Sequence, residues 1–251
     1  MLALALLVTP IIGLVSRVRW ESLGADLFSS ASLTALGLSL TTAASATAVC
    51  VLLGTPLAVV IARAPARWAS VLRAAVLIPL VLPPMVGGLA LLALLGRSGL
   101  IGGPLFETTG FSLPYTTAAV VVAQSFVAMP FYVITVEGAL RTADDGFEQI
   151  AATLGADRWR VLGTITVPLV LPGLAAGAAL AFARALGEFG ATALFAGNSP
   201  GVTRTMPLAI YTAFNGVGVT PDSAVALSLL LLVSTAVIVM GLRSWRPDAI
   251  R

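Results

Sequence analysis

The segment "EQIAATLGADRWRVLGTITVPL", residues 148–169, carries polar residues at helical spacing and lies between two long apolar runs. One helix face is formed by Phe147, Ile150, Ala151 and Leu154. Gly155 suits the left-handed residue that ends a helix, and Asp157 is placed to cap a second short helix that carries Trp159 and Leu162. The segment therefore predicts two short helices joined by a bend at Gly155.

The composition around this segment is that of an integral membrane protein. Of the 251 residues, 58% are hydrophobic and only 10% are charged, and the mean hydropathy is +1.02. A chain of this length has room for about five to seven membrane spans of roughly 20 to 25 residues. We expect one all-α membrane domain over residues 1–251.

Six apolar runs, each bounded by charges, Gly or Pro, predict the membrane spans. They lie at about 2–18, 32–62, 70–96, 114–137, 168–196 and 223–242. The first run lacks a basic leading region and a clear cleavage site, so we expect a retained helix. Nine arginines fall in the loops after spans two and four and at the C-terminus, against four in the opposite loops. This bias predicts cytoplasmic termini and a cytoplasmic loop at about 141–167.

Missing residue types exclude several classes of chemistry. The chain has no His and one Cys, Cys50, so it predicts no disulfide framework and no metal site. All 14 basic residues are Arg, and without Lys a Walker A loop cannot form. Any ATP must be bound by another polypeptide. An embedded enzyme would need a catalytic cluster, and an ion-coupled secondary transporter would need intramembrane acids, for which only Glu188 and marginally Glu137 qualify.

The opening segment resembles a loop shared by permease subunits of bacterial ABC importers. That loop reads Glu-Ala-Ala, three residues, Gly, nine residues, Ile, one residue, Leu-Pro. Here Gly155 is followed at the same spacing by Ile165 and by Val167-Pro168, whereas residues 149–151 depart from Glu-Ala-Ala and Glu148 stands one place earlier. The residues implied to form this ATPase-coupling loop are Glu148, Gln149, Ala151, Ala152, Gly155, Ala156, Trp159, Ile165 and Pro168.

The resemblance implies a type I importer permease of about six transmembrane helices with a cytoplasmic coupling helix. It further implies a homodimer in the cytoplasmic membrane, two copies of an ATP-binding cassette subunit that hold ATP and Mg, and a periplasmic or lipid-anchored binding protein. The permease itself would bind no cofactor and catalyse nothing. From the residues alone, an interfacial loop helix that anchors the span ends stays an alternative.

A second region resembles molybdate permeases. In "FARALGEFGATALFAGNSPGVTRTMPLAIYTAFN", residues 182–215, the matching positions are Arg184, Leu186 to Thr192, Thr203 to Thr205 and Pro207. The stretch "IPLVLPPMVGGLALLALLGRSGLIG", residues 78–102, is similar to the proline-paired span and glycine-rich turn of the same family. The resemblance implies molybdate import by alternating access, with tungstate and sulfate as open alternatives.

Several residues in these regions are candidates for the translocation mechanism. Arg184 and Glu188 are expected one helical turn apart, either as a structural pair or along the anion path. The other path candidates, read as close-packing positions, are Gly187, Gly190 and Thr192. The residues that break the third span, as a static kink or as a hinge, are Pro83, Pro84 and Gly87. Arg204, in an outer loop, either receives an anion or is a solvated interfacial arginine.

Overall fold

The computed structural model describes residues 1–143, 150–151, 153–216 and 221–244. Within these ranges the regular elements are all helical. In chain order they are α1 (Leu2–Ser16), α2 (Leu23–Leu27), α3 (Ser30–Arg63), α4 (Ala66–Val81), α5 (Pro84–Leu95), α6 (Gly102–Thr109), α7 (Thr117–Thr142), α8 (Arg158–Val161), a π-turn (Leu162–Thr166), α9 (Val167–Leu186), α10 (Gly190–Phe195), α11 (Met206–Phe214) and α12 (Pro221–Ser244).

Three helical stretches of the described chain are long and apolar enough to cross a membrane: α3, α7 and the run Leu162–Leu186. Helices α4 and α5 pass the same test only together, as a bent pair, which would make four. Helix α1 and the stretch Ser223–Val237 within α12 are shorter apolar helices. Each of the six apolar runs in the sequence therefore falls on helix, and the all-α fold class is confirmed.

The third predicted span, 70–96, is not one helix. Helix α4 ends at Val81, and the next residue, Leu82, has an extended backbone with ψ of 134°. The residue before a proline is disfavoured in the α region, and Pro83 follows Leu82 directly. Pro84 then begins α5. At the first position of a helix the backbone N–H has no acceptor within the helix, so the missing N–H of proline removes no hydrogen bond there. The proline pair thus ends one helix and begins another.

The fifth predicted span, 168–196, has both ends in the wrong place. Its helix ends at Leu186, and the residues up to 195 belong to a separate helix, α10. At the other end the helix begins earlier, because α8 and the π-turn run into α9 without a break. The predicted second short helix is therefore the first turn of this long helical run.

One compact unit of the chain consists of Met1–Ala43, Pro84–Gln124 and Leu186–Ile238. Its core contains Ala35 of α3, Met206 and Ala213 of α11, and Ala224 and Leu227 of α12. Small alanines let these helices pack closely. The N-terminus of α11 is joined to α3 directly, since the Met206 N–H donates a 2.6 Å hydrogen bond to the Ser39 hydroxyl.

The second unit consists of Ala44–Pro83, Ser125–Ala185 and Val239–Arg251. Its largest fully buried side chain is that of Tyr132 on α7. The Tyr132 hydroxyl shares a 2.7 Å hydrogen bond with Thr55 of α3. The ring fills space where Gly54 of α3 and Gly177 of α9 carry no side chain. Tyr132 thus connects α7 to the two helices beside it.

Candidate coupling and translocation sites

The bend predicted at Gly155 is present and has the backbone geometry of a left-handed helix end. Gly155 has φ of +82°, and the Ala156 N–H donates to the Ala151 carbonyl at 3.0 Å. A Cβ placed on Gly155 would meet no described atom within 4 Å. Leu154 beside it is 82% exposed and Ile150 is 60% exposed. The bend therefore presents an uncovered apolar surface.

The helix that follows the bend is capped as the sequence predicts. The Arg160 N–H donates a 3.0 Å hydrogen bond to Oδ1 of Asp157, which satisfies one of the free N–H groups of the first turn. The capped turn, α8, continues into the π-turn and α9. The helical run that follows the bend is therefore continuous from Arg158 to Leu186.

The π-turn, Leu162–Thr166, ends two residues before Pro168. Proline has no N–H to donate, and within an α-helix its ring clashes with the carbonyl four residues earlier. Directly before it, the Val167 N–H bonds to the Leu162 carbonyl, five residues back, as in a π-helix. Pro56 of α3 and Pro130 of α7 lie inside helices of the α type, so a proline alone does not account for the wider turn.

The remaining residues of the predicted coupling loop are placed only in part. Glu148, Gln149 and Ala152 lie outside the described residues. Of the described members, Ala151, Ala156 and Ile165 are half-buried and Pro168 is exposed. The backbone of Trp159 lies in α8. The bend and the cap are confirmed as geometry, whereas docking on a partner stays a prediction.

An ion cluster centred on one buried carboxylate holds three helices of the second unit together. Glu137 of α7 has a side chain only 4% exposed and accepts from both Nε and Nη2 of Arg73 on α4, at 3.2 and 2.5 Å. Arg141, one turn further along α7, donates its Nε to the same carboxylate at 2.7 Å. Its Nη2 donates to the Ile61 carbonyl of α3 at 3.3 Å. One carboxylate therefore joins the C-terminal ends of α3 and α7 to the middle of α4.

The expected helical spacing of Arg184 and Glu188 is wrong, because α9 ends between them at Leu186. Arg184 lies half-buried in the last turn of α9, and Gly187 is exposed. Glu188 is 1% exposed, and its Oε1 accepts the Ala191 N–H at 2.8 Å, at the start of α10. The physical reason for the break is local, since a carboxylate that caps a new helix replaces the hydrogen bonds that a continued helix would make.

Helices α5 and α10 of the first unit meet at two glycines. A Cβ on Gly88 would stand 2.9 Å from the Ala191 carbonyl oxygen, and one on Gly190 would stand 2.8 Å from Cβ of Pro84. Side chains larger than hydrogen therefore do not fit at this contact. Gly190 and Thr192 are both buried in α10, whereas Gly187, also expected to be a close-packing position, is exposed. The hinge candidates Pro83, Pro84 and Gly87 lie at and after the helix break, with Gly87 buried in α5.

Some buried polar atoms in the first unit have no hydrogen-bond partner among the described residues. They are Nε2 and Oε1 of Gln124 and the hydroxyls of Thr192 and Thr205. Leaving such groups unpaired away from water is costly, so in native structures they usually have a role or an unseen partner. Gln124 was not among the residues predicted from the sequence, although an amide inside the apolar run of α7 is a visible signal.

Arg204 is part of an ordered loop rather than a freely solvated side chain. Its Nε donates to the Asn198 side chain at 2.9 Å and its Nη2 to the Asn198 carbonyl at 3.3 Å. The Asn198 amide in turn donates to the Thr212 hydroxyl at 2.9 Å, and Thr203 accepts the Ser199 N–H. The guanidinium therefore fixes the turn between α10 and α11.

Comparison with known proteins gives these features a family. Residues 51–244 match the family model described as "binding-protein-dependent transport system inner membrane component". The chain belongs to this family. This permease is 52% identical to the molybdenum transport system permease protein ModB of Mycobacterium tuberculosis, over 95% of this chain and 89% of that one. The protein of the same name from Escherichia coli K12 is 44% identical, over 67% and 72% of the two chains.

Solved structures confirm the fold. The permease superimposes on a chain of a bacterial alginate ABC transporter in complex with an alginate-bound periplasmic protein, with a TM-score of 0.69, 18% identity and coverage of 95% and 88%. It also matches a chain of the inward-facing MetNI methionine ABC transporter, with a TM-score of 0.63, 18% identity and coverage of 86% and 97%. The architecture is that of a type I ABC importer permease in the inner membrane.

Proposed function

We propose that this permease imports molybdate across the cytoplasmic membrane by alternating access, driven by ATP hydrolysis on a separate ATP-binding cassette subunit. The observation that carries the proposal is the 52% identity, over nearly the whole chain, to a relative named for molybdenum transport. The segment "RALGEFGAT" and the run Thr203 to Thr205, followed by Pro207, support the same substrate. Tungstate and sulfate are the competing oxyanions.

The coupling loop is proposed as the docking surface for the ATPase. An exposed apolar turn with a left-handed glycine and open space around it suits insertion into a groove on a soluble partner. Its continuity with α9 would carry a displacement of the bend directly into a long helix. Two ATPase copies on a permease homodimer would supply two such contacts, and the differential affinity of the two states for ATP would drive the cycle.

The path candidates Arg184, Gly187, Glu188, Gly190 and Thr192 are retained in this proposal. A dianion needs donors along its route that hold it weakly enough to release it. The Thr192 hydroxyl, which has no hydrogen-bond partner among the described residues, would be a donor of that kind. Arg204 would act indirectly, by shaping the outer loop against which a binding protein delivers the anion.

The predicted orientation, with both termini in the cytoplasm, is part of the proposal. A variant with Cys50→Ser and a new cysteine at Leu2 would be labelled in intact cells with a membrane-impermeant maleimide. We expect labelling only after the cytoplasmic membrane is opened, because the arginine bias places this end inside. Labelling in cells whose cytoplasmic membrane is intact would reverse the orientation.

The decisive experiment is uptake of labelled molybdate, tungstate and sulfate by proteoliposomes that contain the permease with its genomically neighbouring ATPase and binding protein. Uptake is measured with and without ATP on the ATPase side. We expect ATP-dependent molybdate uptake that excess sulfate does not suppress. Uptake of sulfate alone would keep the importer and change the substrate. Uptake that follows a proton gradient and ignores ATP would replace the importer with a secondary transporter.

A further inference from the structure

Glu137 and Arg73 lie at the base of the segment proposed to receive the ATPase. Glu137 stands five residues before the end of α7 at Thr142, and the chain then enters the loop that contains Gly155. The helical run that leaves this loop, α9, packs back on α7, because Gly177 faces Tyr132 and Val136. Both chain segments that support the loop therefore meet in the second unit, next to the ion cluster.

Arg73 of α4 and Glu137 of α7 make a charged contact between the two helices, with two hydrogen bonds that reach both carboxylate oxygens. A two-pronged contact of this kind fixes direction as well as distance. Arg141 has a different role, because it donates both to the same carboxylate and to the Ile61 carbonyl of α3. Arg73 thus connects α4 to α7.

We propose that Glu137 and Arg73 are positioning residues for coupling: the pair makes α4 move with α7 when the ATPase displaces the loop. The inference rests on the proposed function, since it assigns the route of a force that the ATPase supplies. Without the pair, the loop still docks and ATP is still hydrolysed, but less of the displacement reaches α4. The measured consequence is fewer anions imported per ATP hydrolysed.

The test compares Arg73→Gln with the matched control Arg67→Gln. Arg67 lies on the same helix as Arg73, and its guanidinium stands 5.7 Å from the ring of its neighbour Trp68. Both changes remove one positive charge, so any effect of charge on membrane orientation is shared. Glu137→Gln and the double variant Arg73→Gln with Glu137→Gln complete the set. Each complete transporter is reconstituted, and anion uptake, ATP hydrolysis and thermal unfolding are measured together.

We expect uptake per ATP to fall at least about fivefold in Arg73→Gln and in Glu137→Gln, the lower end of typical couplings between sites. The double variant should be no worse than Glu137→Gln, because both changes remove one contact. Arg67→Gln should match the wild type. An unchanged ratio in Arg73→Gln overturns the inference, as does failure of both single variants to assemble, which would make the pair purely structural. Absence of ATP-dependent uptake by the wild type would instead overturn the proposed function.

Discussion

Glycine serves opposite purposes in the coupling loop and at the contact between α5 and α10. Gly155 has a positive φ and open space around it, so glycine is suited to this position by its backbone conformation. Gly88 and Gly190 lie in helices where no side chain would fit, so glycine is suited to these positions because it has no Cβ. The helix contact is completed within the chain, whereas the loop leaves Leu154 uncovered. The difference is the one expected if the loop, and not the helix contact, binds the proposed partner.

The largest effect is expected from a side chain at the helix contact. Gly88→Leu would place a Cβ against the Ala191 backbone, which cannot move without shifting α10. Overpacking of this kind costs about 3 kcal/mol, at the upper end of the usual range. Thermal unfolding of the purified permease in detergent measures it. Gly37→Leu, at an exposed α3 position with no described atom near, is the control and should unfold like the wild type.

A bulky residue at the loop should instead separate transport from folding. Gly155→Trp forces an L-residue into the left-handed region, at a cost of about 1–2 kcal/mol, and blocks the proposed docking surface. We expect uptake to fall at least about tenfold, as when one interface hot spot is lost. Gly110→Trp has the same left-handed strain, with φ of +70° and open space, and should keep its uptake. Equal uptake by both variants would contradict the docking role.

Removal of the cap after the bend should have a smaller effect on the same surface. Asp157→Ala removes the acceptor of the Arg160 N–H, which costs about 1 kcal/mol in helix stability. We expect a partial loss of the ATPase activity that the binding protein stimulates. Asp157→Asn keeps a side-chain oxygen and should keep that activity. If the two variants lose it equally, the charge of Asp157 matters rather than the cap.

The smallest effect is expected inside the second unit. Tyr132→Phe removes the hydroxyl that bonds to Thr55 but keeps the ring between α3 and α9. Hydrogen bonds between membrane helices contribute about 0.6 kcal/mol on average, so the unfolding temperature should fall only slightly. Tyr132→Ala also loses the ring and serves as the comparison. A similar loss in both variants would show that the hydroxyl, and not the packing, connects these helices.

Features set by neighbouring residues could be predicted from the sequence. The bend at Gly155, the cap at Asp157 and the break at Pro83 each depend on a few adjacent positions. The all-α membrane class could also be predicted, from the apolar composition of the chain. These features are local because backbone conformation and capping involve residues within one or two turns.

Features that depend on distant partners could not be predicted. Glu137 was only a marginal candidate, because its partner Arg73 is 64 positions away and nothing near either residue indicates the pairing. The single helix expected to carry Arg184 and Glu188 is interrupted, because the buried Glu188 carboxylate caps a new helix. The first of these features depends on a tertiary contact, whereas the second depends on a local cap.

The π-turn at Leu162–Thr166 sets the direction in which the loop faces. A π-turn contains one residue more than an α-helical path between the same ends. Successive residues of an α-helix are rotated by about 100°, so loss of one residue here would turn Gly155 by that angle around the axis of α9. Related permeases that differ by a single insertion in this turn would present the same glycine to a different side of their ATPase.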